Sequence, residues 1–139
     1  MRTKTIKQIA TFEASPAEVY DLIMNSEKHA EFTDAGAKMS DAIDGKFEVF
    51  DGYCHGYNIE LIKDEKIVQA WHFDEVDWPE NHFSICTFIF EAVNDKTKLI
   101  FEQTGIPIGN FESLKKGWKE YYWDPMKAYL KRENAISKN

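Results

Sequence analysis

The chain has 139 residues and a mass of 16.2 kDa, the size of one domain with no room for a second core. Apolar residues at 43% and charged residues at 29% exclude a disordered chain, and a net charge of −7 argues against a nucleic-acid binder. Aromatic residues reach 14%, with ten Phe, six Tyr and four Trp, more rings than a domain this short needs to close a core.

The opening run Met1 to Lys7 lacks the apolar stretch of a signal peptide. The most apolar window, Ile85 to Phe90, is far shorter than the roughly 18 residues of a membrane span. A cytoplasmic protein with no membrane span is expected. Cys54 and Cys86 stand 32 apart without CxxC or Cys/His spacing and are expected as free thiols.

Thr3 to Phe12 is rich in Thr and Ile and reads as a strand. Ser15-Pro16-Ala17-Glu18 is a helix start: Ser15 caps, Pro16 suits the first turn, and Glu18 completes a capping box. Val19, Tyr20, Leu22 and Ile23 give an apolar stripe. Asn25-Ser26 ends that helix and caps a short second one over Glu27 to Glu31. From residue 36 to 104 the period becomes two. Asp44-Gly45 and Asp51-Gly52 are turn signals around a strand Lys46 to Phe50. Tyr57, Ile59 and Leu61 share a strand face, and Ile67, Gln69, Trp71 and Phe73 share the next. Cys86, Phe88 and Phe90 follow after a loop, and Leu99, Phe101 and Gln103 after a turn at Asn94-Asp95-Lys96. Strands joined by short turns make an antiparallel meander.

The last segment is helical. Asn110 is the expected cap, and Phe111, Leu114, Trp118, Tyr121, Tyr122, Met126, Tyr129 and Leu130 recur at spacings of three and four. Pro125 is expected to kink this helix, since the stripe keeps its phase across it. A helix over residues 111 to 133 spans roughly 35 Å. Seven strands side by side span roughly 29 Å. One helix therefore crosses the whole of a twisted sheet, and the gap at its centre holds packed rings or a cavity.

This order resembles the helix-grip fold of the START-related, birch-pollen-allergen-like superfamily. Local strings are similar to one branch of it, the homologues of the C-terminal domain of the activator of heat-shock-protein-90 ATPase. They include Phe12 to Tyr20, Glu31-Phe32-Thr33, Gly45-Lys46-Phe47, Phe50-Asp51-Gly52 and Gly56 to Leu61. Lys66 to Trp71, Trp78-Pro79, Gln103 to Pro107, Gly117-Trp118 and Tyr129-Leu130 continue the series in the same order. The resemblance implies an α+β domain over residues 1–139: a seven-stranded antiparallel sheet wrapped around a long C-terminal helix, with two short helices after the first strand. It also implies two partner classes, small hydrophobic molecules from the wider superfamily and a heat-shock-protein-90-type chaperone from the branch. Some superfamily members are polyketide cyclases or aromatases, and the superfamily offers no universal catalytic residue to transfer. The Asn-rich, Trp-containing N-terminal motif of eukaryotic activators has no counterpart in these residues.

Motifs for other chemistry are missing. His29, His55, His72 and His82 show no metal-ligand spacing, and there is no GxSxG or P-loop. Cys54 and His55 are adjacent, so on a strand they point to opposite faces. Asp74, Glu75, Asp77 and Glu80 form an acidic loop, read as solvated or as a weak cation site. No catalytic residue, metal or cofactor is expected. Gln69 and Gln103 stand out on otherwise apolar strand faces, and a buried amide needs partners. They are either core amides bonded to neighbours or polar anchors in an apolar pocket. The pocket reading gives a ligand site of Gln69, Trp71, Phe88, Phe90, Phe101 and Gln103 roofed by Trp118, Tyr121 and Tyr122. Charge adds a second feature. Residues 1 to 110 hold ten basic and twenty acidic groups, whereas residues 111 to 139 hold seven and four. Lys115, Lys116, Lys119, Lys127, Lys131 and Arg132 form either a solvated face or a docking strip for an acidic partner. A monomer and a homodimer are both open. The expected functions are therefore binding of a small apolar or aromatic ligand, chaperone docking, or a cyclase-like reaction.

Overall fold

In the computed structural model, which describes residues 1–137, strand β1 (Thr3–Phe12) leads into helix α1 (Pro16–Met24) through the capping box read from the sequence. The Glu18 amide donates to Ser15 Oγ at 3.2 Å, and the Ser15 amide donates to Glu18 Oε1 at 3.2 Å. Helix α2 (Ser26–Thr33) starts from Asn25, whose side chain accepts from the Lys28 amide at 3.0 Å. Replacing Ser15 by alanine orphans one amide at the helix start, and chemical denaturation should show a loss of about 1 kcal/mol.

Strands β2 (Lys46–Val49), β3 (Cys54–Ile62), β4 (Lys66–Phe73), β5 (Ser84–Val93) and β6 (Lys96–Pro107) complete one antiparallel sheet in the order β1-β6-β5-β4-β3-β2. The sheet has six strands where seven were expected. Residues 36–45 contribute only an isolated bridge between Lys38 and Glu48. Asn58 explains why. Its buried Nδ2 donates to the carbonyls of Ser40 at 2.7 Å and Ala42 at 3.0 Å, which holds that segment as a loop. The strand expected to run to Phe50 stops at Val49, because Phe50 and Asp51 take positive φ of 53° and 57° in a 3₁₀ turn, Phe50–Gly52. On β3 the apolar pair Tyr57 and Ile59 faces outward, and Cys54, Gly56 and Asn58 face in. Gly56 is required there: a Cβ would lie 1.7 Å from the Ala70 carbonyl oxygen.

The C-terminal rod comprises α3 (Phe111–Trp118), a π turn (Lys119–Trp123) and α4 (Asp124–Ser137). Proline at 125 has no N–H, and its ring crowds the carbonyl four residues earlier, so the ladder opens into an i→i+5 turn just before it. This corrects the phase. Trp118, Tyr122, Trp123, Met126, Tyr129 and Leu130 are buried, while Tyr121, expected inward, is 55% exposed. Asn110, the expected cap, makes no capping bond, because its φ and ψ of −104° and −4° are already helical rather than extended. The inward faces of β4, β5 and β6 carry the rings that meet this rod. No helix among the described residues is long and apolar enough to cross a membrane.

Candidate functional site

The space between sheet and rod is occupied by a stack of rings. Trp118 is at its centre, with ring centroids 4.4 Å from Phe101, 4.8 Å from Tyr122, 5.2 Å from Trp71 and 6.1 Å from Phe88. Phe90 packs on the other side of the sheet centre against Tyr20 of α1, at 5.6 Å. Gln69 and Gln103 are fully buried inside this stack. Gln69 Oε1 accepts the Trp71 indole N–H at 2.9 Å, and its Nε2 donates to Asn58 Oδ1 at 2.9 Å. Gln103 Oε1 accepts the Trp118 indole N–H at 2.7 Å, and its Nε2 donates to Ser84 Oγ at 2.9 Å. Gln8 repeats the device: it accepts from Trp123 at 2.7 Å and donates to the Lys115 carbonyl at 2.9 Å. The chain has three glutamines, and each holds a different tryptophan. The amides of Gln69 and Gln103 are thus engaged on both oxygen and nitrogen within the core.

An open cleft remains at the edge of this stack, with a volume of about 100 Å³. Phe50, Tyr53, Cys54 and Phe73 form one wall, and Leu114, Gly117, Trp118, Tyr121 and Tyr122 the other. Of the nine residues expected around a ligand, Trp118, Tyr121 and Tyr122 border this cleft. Gln69, Trp71, Phe88, Phe90, Phe101 and Gln103 lie deeper, in the packed interior. Phe50, Tyr53 and Phe73 were not singled out from the sequence as lining residues. Phe50 reaches the cleft only through its left-handed backbone, a conformation with no signature beyond the neighbouring Asp51-Gly52.

Behind the cleft, Tyr122 is tied to α2. His29 Nδ1–H donates to the Ile23 carbonyl at 2.9 Å, which leaves Nε2 as acceptor for the Tyr122 hydroxyl at 2.9 Å. Burial pulls the His29 pKa down from 6.5 to about 4, so the ring is neutral at pH 7. Burial pushes the Tyr122 phenol and the Cys54 and Cys86 thiols well up. Tyr53 moves the same way through burial and its hydrogen bond to Glu75. These groups hold their protons at neutral pH, and neither thiol is poised as a thiolate nucleophile. No three His, Cys, Asp or Glu side chains converge as metal ligands among the described residues.

The exposed surface of the rod is basic. Lys115, Lys116, Lys119, Lys127, Lys131 and Arg132 are all exposed. Lys119 is paired with Asp124 at 2.8 Å.

Comparison with known proteins adds the family. The chain is 36% identical to the activator of 90 kDa heat shock protein ATPase homolog 1 of Homo sapiens over 123 residues, which is 88% of this chain and 35% of that protein. It is 36% identical to the corresponding homolog of Dictyostelium discoideum over 136 residues, 96% of this chain and 35% of the relative. The chain thus spans about a third of the length of these relatives. A crystal structure described as an HSP90 activator from Plasmodium falciparum shares the fold, with a TM-score of 0.85 at 24% identity over 91% of this chain and 95% of that one. The family model described as activator of Hsp90 ATPase homolog 1-like protein matches residues 13–131, from the end of β1 well into α4, and the chain belongs to that family.

Proposed function

We propose that this domain is a protein-docking module for a heat-shock-protein-90-type chaperone. One observation carries the reading: the match to activators of that chaperone's ATPase spans residues 13–131, sheet and rod together. Two features of the geometry agree with it. The rings between sheet and rod pack on one another, so the widest recognition surface is outside. The exposed surface of the rod is basic, on a molecule that is otherwise acidic, which suits an acidic protein surface. The test is titration of the 139-residue chain against the heat-shock-protein-90 homologue of its own host, read by calorimetry and by ATPase rate. Saturable binding that weakens with salt is expected. Absence of both binding and any change in ATPase rate removes the reading.

A second reading is favoured by the cleft. Its walls are aromatic, with Tyr53 and Tyr121 supplying the polar tips. At about 100 Å³ it accommodates a small apolar group rather than a whole ligand of the usual size, for which pockets run roughly 300–1,000 Å³. Native mass spectrometry of protein purified from its host distinguishes the cases: a bound mass supports this use of the cleft, and bare protein opposes it.

A further inference from the structure

β1 is an edge strand ten residues long, and its outer side pairs with no strand among the described residues. Such an edge presents N–H and C=O groups that another strand can take up. Its register with β6 runs unbroken from Ile6 to Phe12, with a slip only between Lys4 and Ile6. Proline is absent from that stretch, and Ala10 and Phe12 point inward without charge.

The helical rod runs beside this edge, and a groove lies between them. One part, about 490 Å³, is bounded by Gln8, Ile9 and Ala10 and, across from them, by four lysines including Lys115 and Lys127, against the carboxylates of Glu112 and of Asp124, the latter paired with Lys119. The other, about 730 Å³, continues past Thr11 along Lys127 and Lys131, and its one carboxylate, Glu13, is paired with Lys96 at 3.4 Å. Among the described residues Lys115, Lys116, Lys127 and Lys131 make no ion pair. Lys115 and Lys127 reach over the Phe111 and Phe12 rings at 5.9 Å, and these ammonium groups without a carboxylate partner line an open strand edge on a protein whose net charge is −7.

We propose that this groove receives an extended acidic segment of the partner protein, added as a further strand beside Ile6 to Phe12. The proposal rests on the docking reading above and names how the partner is held. Side chains of an added strand alternate between two faces. Those turned toward the rod meet the lysines, so every second residue is Asp or Glu. Those turned outward lie next to Ile9, which is 63% exposed, so β-branched residues stand between the acids.

The test uses a fluorescein-labelled peptide in which Glu alternates with Val and Thr, titrated with the 139-residue chain. Saturable binding is expected, with amide shifts in a two-dimensional NMR spectrum concentrated over Ile6 to Phe12. Lys115→Glu combined with Lys127→Glu lowers affinity about tenfold or more, and the amide spectrum of the free variant away from the two sites shows that it is folded. Methylating the peptide's backbone nitrogens on one alternate set abolishes binding, and methylating the other set does not. Equal binding of a peptide with Lys in place of Glu overturns the proposal, as does binding that survives both methylations. A salt-insensitive dimer that excludes the peptide also overturns it, by giving the edge to a second copy of the chain. The two readings fail separately. Chaperone binding that is indifferent to the lysine variant sinks strand addition alone, whereas peptide binding without chaperone binding sinks the partner assignment alone.

Discussion

Replacing Trp118 by alanine is expected to destabilise the protein by about 3–5 kcal/mol. The side chain is 3% exposed and touches five other rings, including Trp123 at 5.6 Å. Its removal leaves a cavity that rings on both walls cannot close by small shifts, because they already hold one another. It also leaves Gln103 Oε1 buried without its donor. Trp118→Phe keeps a six-membered ring in place and removes the indole N–H with the rest of the indole, so its smaller loss, about 1–3 kcal/mol, is weighted toward that second cost. Urea unfolding at neutral pH measures both. A loss below about 1 kcal/mol for the alanine variant would show that the ring borders open space, and the case for a larger ligand site would revive.

The elements were legible because local chemistry decides them. Ser15 to Glu18 starts a helix wherever it occurs, and Asn94-Asp95 turns a chain between alternating strands. The inward faces of β4 to β6 followed from a period of two. The expected seventh strand failed because the loop before Gly45 is held by Asn58, a partner distant in sequence. Tyr121 was misplaced because the π turn before Pro125 inserts a residue into the helical repeat, which a stripe of spacings cannot register. The amides were read as outliers, and the structure supplies their reason. Gln69 and Trp71 are two apart on one strand face, the one signal present in the sequence. Gln103 with Trp118 and Gln8 with Trp123 need the rod docked on the sheet before they meet. The aromatic excess is accounted for in the same way, since most of the large rings bury against each other rather than surround an empty space. The left-handed Phe50 and the link between His29 and Tyr122 depend wholly on tertiary packing.

That link makes stability depend on acid. His29 holds a pKa of about 4 in the folded protein, against 6.5 when exposed in the unfolded chain. Above pH 6.5 the imidazole is neutral in both states and the fold loses nothing. Between 6.5 and about 4 the unfolded chain binds a proton that the folded protein refuses, so stability falls as pH falls. Below about 4 both states are protonated and the loss is complete, at about 3 kcal/mol. The cause is geometric. Nδ1 already donates to Ile23, so a proton on Nε2 turns the acceptor of the Tyr122 hydroxyl into a second donor, with a charge in a fully buried position. α1 and α2 are thereby unclipped from the π turn of the rod. His29→Gln keeps a donor and an acceptor at the same place but cannot be charged. Urea midpoints measured from pH 7 to pH 4 should therefore fall less steeply for the variant, by about 3 kcal/mol over that range. Parallel slopes in the two proteins would move the acid sensitivity to the carboxylates instead.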